Sequence, residues 1–366
     1  MKFLNYFLYL LIFFNAAADA QSLTLRTISQ LHDTIFECSG IQEIVPGRLL
    51  MHNDSGDQPR FFITDTSGNI LSTRYLENVI PIDFEDITKD DKGNIYIGDF
   101  GNNFNTRTDL KIYKIAAAEI IAGGNITTEV INFSYPGQSN FPPAQQDMNF
   151  DCEAFFYYRD SLYLFSKNRG TSQYTSMYSL PANGGNYEAV TVDSFYTGRW
   201  ITSAAINRSA TAFVLLSESR IFLYTDFLNG NFSNVTERVF EIDSTQKEGV
   251  CFINDTAIYI TDEGFPGAAG NLYYASLGKW IPHKSPVTPF AIQIFNNPSR
   301  DGFTIFMEGS DSYTLNIFDA LGKFLDEKIL SAADMPYHYK KYKTGLLFLR
   351  ITSHEGFSKS AKVFLY

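Results

Sequence analysis

The chain has 366 residues, among them 33 Phe and 22 Tyr, and a formal net charge of −11. That length allows two domains and a large core, and an aromatic, lightly charged composition suits strands rather than long helices or disorder. With no basic stripe to neutralise phosphates, no nucleic acid is expected as a partner.

At the start, Met1-Lys2 is positive, Phe3 to Phe14 is almost wholly apolar, and Ala18-Asp19-Ala20 is a small-x-small site. Residues 1–20 therefore read as a secretory signal peptide, with the mature chain beginning at Gln21. No later stretch reaches spanning length, so no transmembrane helix is expected after signal removal. Leu23 to Ile28 next reads as an isolated strand.

From Cys38 to Ala275 a two-part signature occurs five times. It opens as Ser39-Gly40-Ile41, Glu85-Asp86-Ile87, Glu153-Ala154-Phe155, Ser203-Ala204-Ala205 and Glu248-Gly249-Val250. Glu37, Asp83 and Asp151 stand two residues ahead of three of these, and a second polar residue (Asp54, Asp99, Lys167, Glu218, Asp262) follows 14 or 15 residues later. Turn chemistry such as Lys89 to Asn94 lies between the two parts, so each repeat opens with a hairpin. Third strands are expected at Arg60–Ile63, Leu110–Ile115, Thr175–Leu180, Ile221–Tyr224 and Asn271–Ser276, and fourth strands at Ile70–Tyr75, Thr128–Phe133, Tyr187–Phe195 and Val235–Ile242.

Four short strands in every roughly fifty residues describe an all-β fold, a five-bladed β-propeller. The fifth copy lacks a fourth strand, and Leu23–Ile28 would supply it and remove an open edge. A sixth, degenerate blade in the longer interval between Glu85 and Glu153 is the alternative, six-bladed count. The odd number of cysteines, Cys38, Cys152 and Cys251, lacks metal-thiolate spacing and reads as three buried residues of inner strands, with one disulfide left open.

The hairpin places both parts of the signature at one end of the blades. Around the ring this would gather Glu37, Asp54, Glu85, Asp99, Glu153, Glu248 and Asp262 as candidate metal ligands, together with Asp83, Asp86, Asp151, Glu218 and Glu263. Asn53, Asn102, Asn103, Asn168, Lys167 and Arg169 add amides and cations. Such hard oxygen donors suit calcium or another divalent cation, and crowding should raise some carboxyl pKa values. No organic cofactor is expected. For any one acid, a turn or blade-locking role competes with ion binding.

Residues 280–289 (WIPHKSPVTP) read as a linker. Beyond it, residues 290–366 alternate apolar and polar residues in short runs, the pattern of a small β-sandwich. Asn297-Pro298 with Gly302-Phe303, then Ile317 to Lys323 with Asp319 and Gly322, then Gly345 to Ile351, and finally Lys362 stand in the order of a known export signal. This tail resembles the C-terminal sorting domain of the type IX secretion system of Bacteroidetes. The resemblance implies the type IX secretion machinery as a partner and a product that is secreted or attached at the outer-membrane surface.

The repeated region, through Glu37-x-Ser39-Gly40, His52 to Gly56, Asp83 to Ile87 and Gly98 to Asn103 followed by Arg107, resembles secreted bacterial propellers of the SdiA-regulated type. More distantly it is similar to gluconolactonase and regucalcin-like calcium propellers. The absence of G-x-S-x-G and H-E-x-x-H disfavours serine-hydrolase and zinc-protease chemistry. Two functions remain: a module binding an unknown extracellular ligand, or a metal-dependent hydrolase of lactones or phosphoesters with Glu153 or Glu85 as base.

Overall fold

The structure, a computed structural model, describes residues 21–281 except 123, 228–229, 234 and 266–267, and residues 291–366 except 309–311, 321, 341–343 and 355–357. The signal peptide expected at 1–20 and residues 282–289 of the expected linker lie outside the described residues. The chain divides into two compact units, Met1–Pro282 and His283–Tyr366.

In the first unit the alternating runs pair as antiparallel meanders. Blade one comprises Cys38–Val45, Arg48–Asn53, Arg60–Asp65 and Ile70–Tyr75. Blade two comprises Phe84–Lys89, Ile95–Asp99, Lys111–Ile115 and Glu129–Ser134. Blade three is Cys152–Tyr158, Ser161–Ser166, Tyr174–Pro181 and Val190–Tyr196. Blade four is Ser203–Ile206, Ala212–Leu216, Arg220–Thr225 and Thr236–Glu241. Blade five joins Lys247–Phe252, Ala257–Asp262 and Asn271–Ser276 to the N-terminal strand Arg26–Gln30.

These five sheets close into a propeller. Each successive pair shares an apolar core, and the last lies between blade five and blade one, where Cys251 and Leu272 meet Cys38, Ile41, Met51 and Phe62. Burial of these faces on both sides of every sheet is the main driving force of the ring. The three cysteines are buried and free. The extra length between Glu85 and Glu153 holds the short helix Ala117–Ala122 and a 3₁₀ turn, with no further sheet among the described residues.

Two strand expectations are corrected. The run Tyr187–Phe195 serves two sheets rather than one: Gly185–Glu188 adds in parallel to the outer strand of blade two, and Val190–Tyr196 completes blade three. The buried Ala189 marks the crossing between them. At the N-terminus the pairing begins later than Leu23: Gln21–Ser22 runs parallel to the outer strand of blade four, and Arg26–Gln30 pairs antiparallel with Asn271–Tyr274. Leu23 and Leu25 between them pack on the core shared by blades four and five.

The second unit is a sandwich of two antiparallel sheets. One joins Ala291–Phe295, Gly302–Glu308 and Tyr337–Lys340; the other joins Phe324–Ser331, Ser312–Phe318, Gly345–Ser353 and Ser358–Leu365. Phe303, Ile305, Leu315, Ile317, Leu347, Leu349 and Val363 interleave as its core. The tail residues singled out by pattern have visible local roles. Asn297, followed by Pro298, donates from Nδ2 to Lys362 O at 2.9 Å and accepts from Phe364 N at 3.0 Å, so its amide extends the edge of the last strand like a peptide unit. Asp319 accepts from Lys323 N at 3.0 Å and from Gly322 N, and Gly322 has φ +81° in this reversal. Gly302 has φ +126°, and a Cβ there would lie 2.0 Å from Tyr339 O, so no other residue fits. Gly345 opens its strand at φ +118°, and the Lys362 ammonium lies 5.6 Å from the centre of the Phe348 ring.

Candidate functional site

Strand register decides which acids reach the channel. In four blades the first pair of the inner hairpin is Cys38↔Asn53, Phe84↔Asp99, Cys152↔Ser166 and Lys247↔Asp262, and a bulge follows directly. Ser39, Glu85, Glu153 and Glu248 are therefore equivalent, and so on the returning strand are Asp54, Gly101, Lys167 and Glu263, whose N–H groups donate to Glu37 O, Asp83 O, Asp151 O and Gln246 O in turn. Blade four pairs Ser203 with Leu216 and shows no such bulge, which makes Thr202 the counterpart of the glutamates. The expected Ser203 position is thus one residue late, because a bulge shifts the count on one strand only.

The same slip separates the candidate ligands. Asp99 is an inner anchor: it accepts from Asp83 N at 3.0 Å and pairs with Arg107 at 3.0 Å. Asp262 is likewise satisfied within its blade, by Thr245 Oγ1 at 2.7 Å, Tyr273 OH at 2.6 Å and Asn271 N at 2.6 Å. Adjacent strand residues face opposite ways, so Glu263 rather than Asp262 joins the acidic group. Glu218 is exposed and lines a cleft between blades three and four, and Glu37 stands at the rim beside Asp54 and Asp57.

What converges is a well of carboxylates. One oxygen from each of Asp54, Asp83 and Glu85 lies within 4.8 Å of the others. Glu85 is 5% exposed and, among the described residues, receives only a long bond from Ser39 Oγ, at 3.5 Å. Glu248 is 9% exposed and its carboxylate makes no hydrogen bond or ion pair among the described residues. Glu153 is held by Lys167 and, at 2.8 Å, by Arg169. Arg169 also pairs with Asp151 at 2.7 Å and bonds Asn103. Asp151 accepts from Asn102 N at 2.7 Å, which locks the loop of blade two onto blade three. Asn53 bonds Asp57 at 2.9 Å and Asn168 bonds Tyr174 O, both away from the well's centre.

Burial and mutual repulsion raise these carboxyl groups. Burial, then the charges of Glu153, Asp54 and Asp83, push Glu85 well above its usual range. Burial likewise lifts Glu248 well above, with Lys167 opposing. Asp83 rises to about 6, Glu153 to about 7 and Glu263 to about 8, burial being the first cause in each. Lys167 responds in the opposite sense: burial lowers its pKa, but Glu153 and Glu248 outweigh that and raise it.

Asp86 does not belong to the well. It is fully buried and crosses the axis, accepting from Ile87 N at 2.9 Å, Phe155 N at 3.1 Å, Ala204 N at 3.1 Å and Ser203 Oγ at 3.0 Å. Ser203 Oγ accepts in turn from Val250 N at 3.0 Å. Blades two to five are thereby joined at one point beneath the well. The equivalent positions elsewhere are Gly40, Ala154, Ser203 and Gly249, all small. No local signal in the sequence distinguishes this aspartate from its neighbour Glu85. His52 packs edge-on against Phe84 with Nδ1 3.0 Å from Asn53 O, and burial lowers its pKa to about 4. It is a neutral core residue.

Residues 293–365 match the secretion system C-terminal sorting domain. The C-terminal unit is such a sorting domain. A chain with this type IX sorting domain is exported and is either secreted or attached at the cell surface. No helix among the described residues is long and apolar enough to cross a membrane. No curated protein matches the chain in sequence. Among solved structures, the chain is similar to PorZ, a surface component of the type IX secretion system of Porphyromonas gingivalis, at 11% identity over 89% of this chain and 51% of that one, TM-score 0.30. It spans about half the length of that protein. It is also similar to a gluconolactonase of Xanthomonas campestris, at 12% identity over 63% and 68% of the two chains, TM-score 0.36. A calcium-binding regucalcin of Agrobacterium tumefaciens gives 11% identity over 70% and 96%, TM-score 0.40.

The well is expected to make the stability of the propeller depend on pH. Asp83, Glu153 and Glu263 have pKa values raised from 3.8 or 4.5 to about 6, 7 and 8, so the folded state binds more protons than the unfolded one in that window. Their contribution is complete below about pH 4 and is lost as pH rises through the folded values. His52 acts oppositely: its contribution is present above 6.5 and lost as pH falls through about 4. Between pH 6.5 and 8 only the acids of this set still act. In EDTA the melting temperature should therefore be lower at pH 8 than at pH 6.5, as read by circular dichroism; a rise over that interval would contradict the assignment.

Proposed function

We propose that this exported propeller is a binding module that holds a divalent cation, calcium in the first instance, at the acidic end of its channel and meets an extracellular ligand there. The observation carrying this reading is the group Asp54, Asp83 and Glu85, whose oxygens lie within 4.8 Å of one another. Hard carboxylate donors at such spacing suit calcium. Gly101 supports it: a Cβ there would come within 2.2 Å of Glu85 Oε1 and 2.3 Å of Asp83 Oδ2, so the backbone leaves room that any side chain would fill. Buried Glu248, whose carboxylate makes no hydrogen bond among the described residues, adds a further carboxyl group that interacts with Asp54. When bound, the ion would supply the positive charge that lets these carboxylates stay ionised together.

Ligand binding to the folded state raises stability by mass action. Millimolar calcium should raise the melting temperature by roughly 3 °C or more, and Glu85→Gln should remove most of that rise. No calcium response in the parent protein would sink the reading.

A metal-dependent hydrolase of lactones or phosphoesters is favoured by one observation, the rise of Glu153 to about 7, where a general base works well. Against it, Lys167 and Arg169 already occupy the Glu153 carboxylate. Calcium-dependent turnover of either substrate class that Glu153→Gln abolishes would reverse this preference.

A further inference from the structure

We propose that the cleft between blades three and four binds the ring of a neutral pyranose sugar, with Trp200 as its platform. The cleft has a volume of about 270 Å³ and is lined by the Ser166–Thr175 stretch of blade three, by Gly198, Arg199 and Trp200, and by Glu218 of blade four. It is separate from the group Asp54, Asp83 and Glu85, and the proposal does not depend on an ion there.

Register makes Trp200 unusual. It stands two residues before Thr202, the place held by Glu37, Asp83 and Asp151 in the first three blades, so the acidic rim is replaced by an aromatic at this blade alone. The indole is fixed rather than loose: its Nε1 donates to Asn168 O at 2.7 Å, and the Arg169 guanidinium lies 4.7 Å from the ring centre. Arg169 is itself clamped by Asp151 and Glu153. A ring held from both directions yet 50% exposed costs little conformational entropy to use as a contact surface. Tyr174, set edge-on to Tyr196 at 5.4 Å, provides a second exposed ring at the mouth.

The polar groups around the indole suit hydroxyls. Among the described residues, neither the Glu218 carboxylate nor the Gln173 amide makes a hydrogen bond, and Arg199 spends one N–H on Gly198 O. An acceptor pair, an amide and a planar donor fork lining one cleft with an exposed aromatic ring can satisfy vicinal hydroxyls while the ring stacks on the carbon face of the sugar. The alternatives fit less well. Polar walls disfavour a purely apolar ligand, and Glu218 with a net charge of −11 disfavours an anionic one. The volume admits one sugar ring rather than a large ligand.

The chain has two tryptophans, so Trp280→Phe in the full chain leaves Trp200 as the single reporter. In EDTA, methyl β-D-glucopyranoside, methyl α-D-mannopyranoside and N-acetylglucosamine would each be titrated, following Trp200 emission and saturation-transfer NMR of the sugar. Saturable binding of at least one, with a Kd of roughly millimolar order, is expected. Glu218→Gln, an exposed change, should weaken it roughly tenfold without shifting the melting temperature, and Trp200→Ala should abolish the NMR transfer. The proposal is overturned if no sugar saturates below roughly 100 mM, or if both variants bind like the parent. Binding that appears only when calcium replaces EDTA would also overturn it and place the sugar at the ion site.

Discussion

Replacing Asp86 with Ala is expected to destabilise the propeller by about 4 kcal/mol or more, measured by urea unfolding. The change strands three buried backbone N–H groups, on Ile87, Phe155 and Ala204, and the Ser203 hydroxyl. Each unsatisfied buried donor costs about 1–3 kcal/mol, and no water-sized path is needed for the loss to register. Burial raises the Asp86 carboxyl to about 8, against the pull of these four donors. Asp86→Asn keeps one acceptor but turns an amide N–H₂ towards existing donors, so it should recover only part of the loss. If Asp86→Ala melts like the parent, the axial link is not a source of stability.

Lys167→Met is expected to cost about 3–5 kcal/mol in EDTA, the range for breaking a buried ion pair on one side. Lys167 is 8% exposed and pairs with Glu153 while facing Glu248. Without it, the charges of Glu85, Glu153 and Glu248 face one another, with Arg169 left to counter Glu153 and Glu85. Two readouts separate this from simple loss of packing. The deficit should be larger at pH 8 than at pH 6, because protonation relieves the repulsion, and calcium should restore more stability to the variant than to the parent. A deficit independent of both pH and calcium would show that the lysine acts through its methylenes instead.

The meander of each blade was legible because alternation and turn chemistry agree locally. The reversal at Asp90 to Asn94, for example, forms with Gly93 at φ +84° and with Asp90 accepting from Asn94 N at 2.9 Å. The sandwich was legible for the same reason, and its glycines and Asn297 stand where backbone geometry requires them. Less legible was the choice between neighbouring acids. Asp262 and Glu263 differ by one residue and face opposite ways, and a bulge that no composition signals sets the count. The division of Tyr187–Phe195 between two sheets was also hidden, since each half is a sound strand by pattern. Asp86 escaped because its distant partners lie on the inner strands of two other blades, Phe155 on one and Ser203 and Ala204 on the other, so its role arises only when the ring is closed.

That closure has a consequence for the order in which the molecule can form. Arg26 pairs with Tyr274, so the strand Arg26–Gln30, made before blade one, finds its partner only after four whole blades have been made. Until then blade five lacks its outer strand and the ring cannot shut, which puts the slowest, least local contact at the end of folding. The sorting domain lies beyond that point in the chain. The signal that directs export is thus completed only after every segment needed to seal the ring has been synthesised.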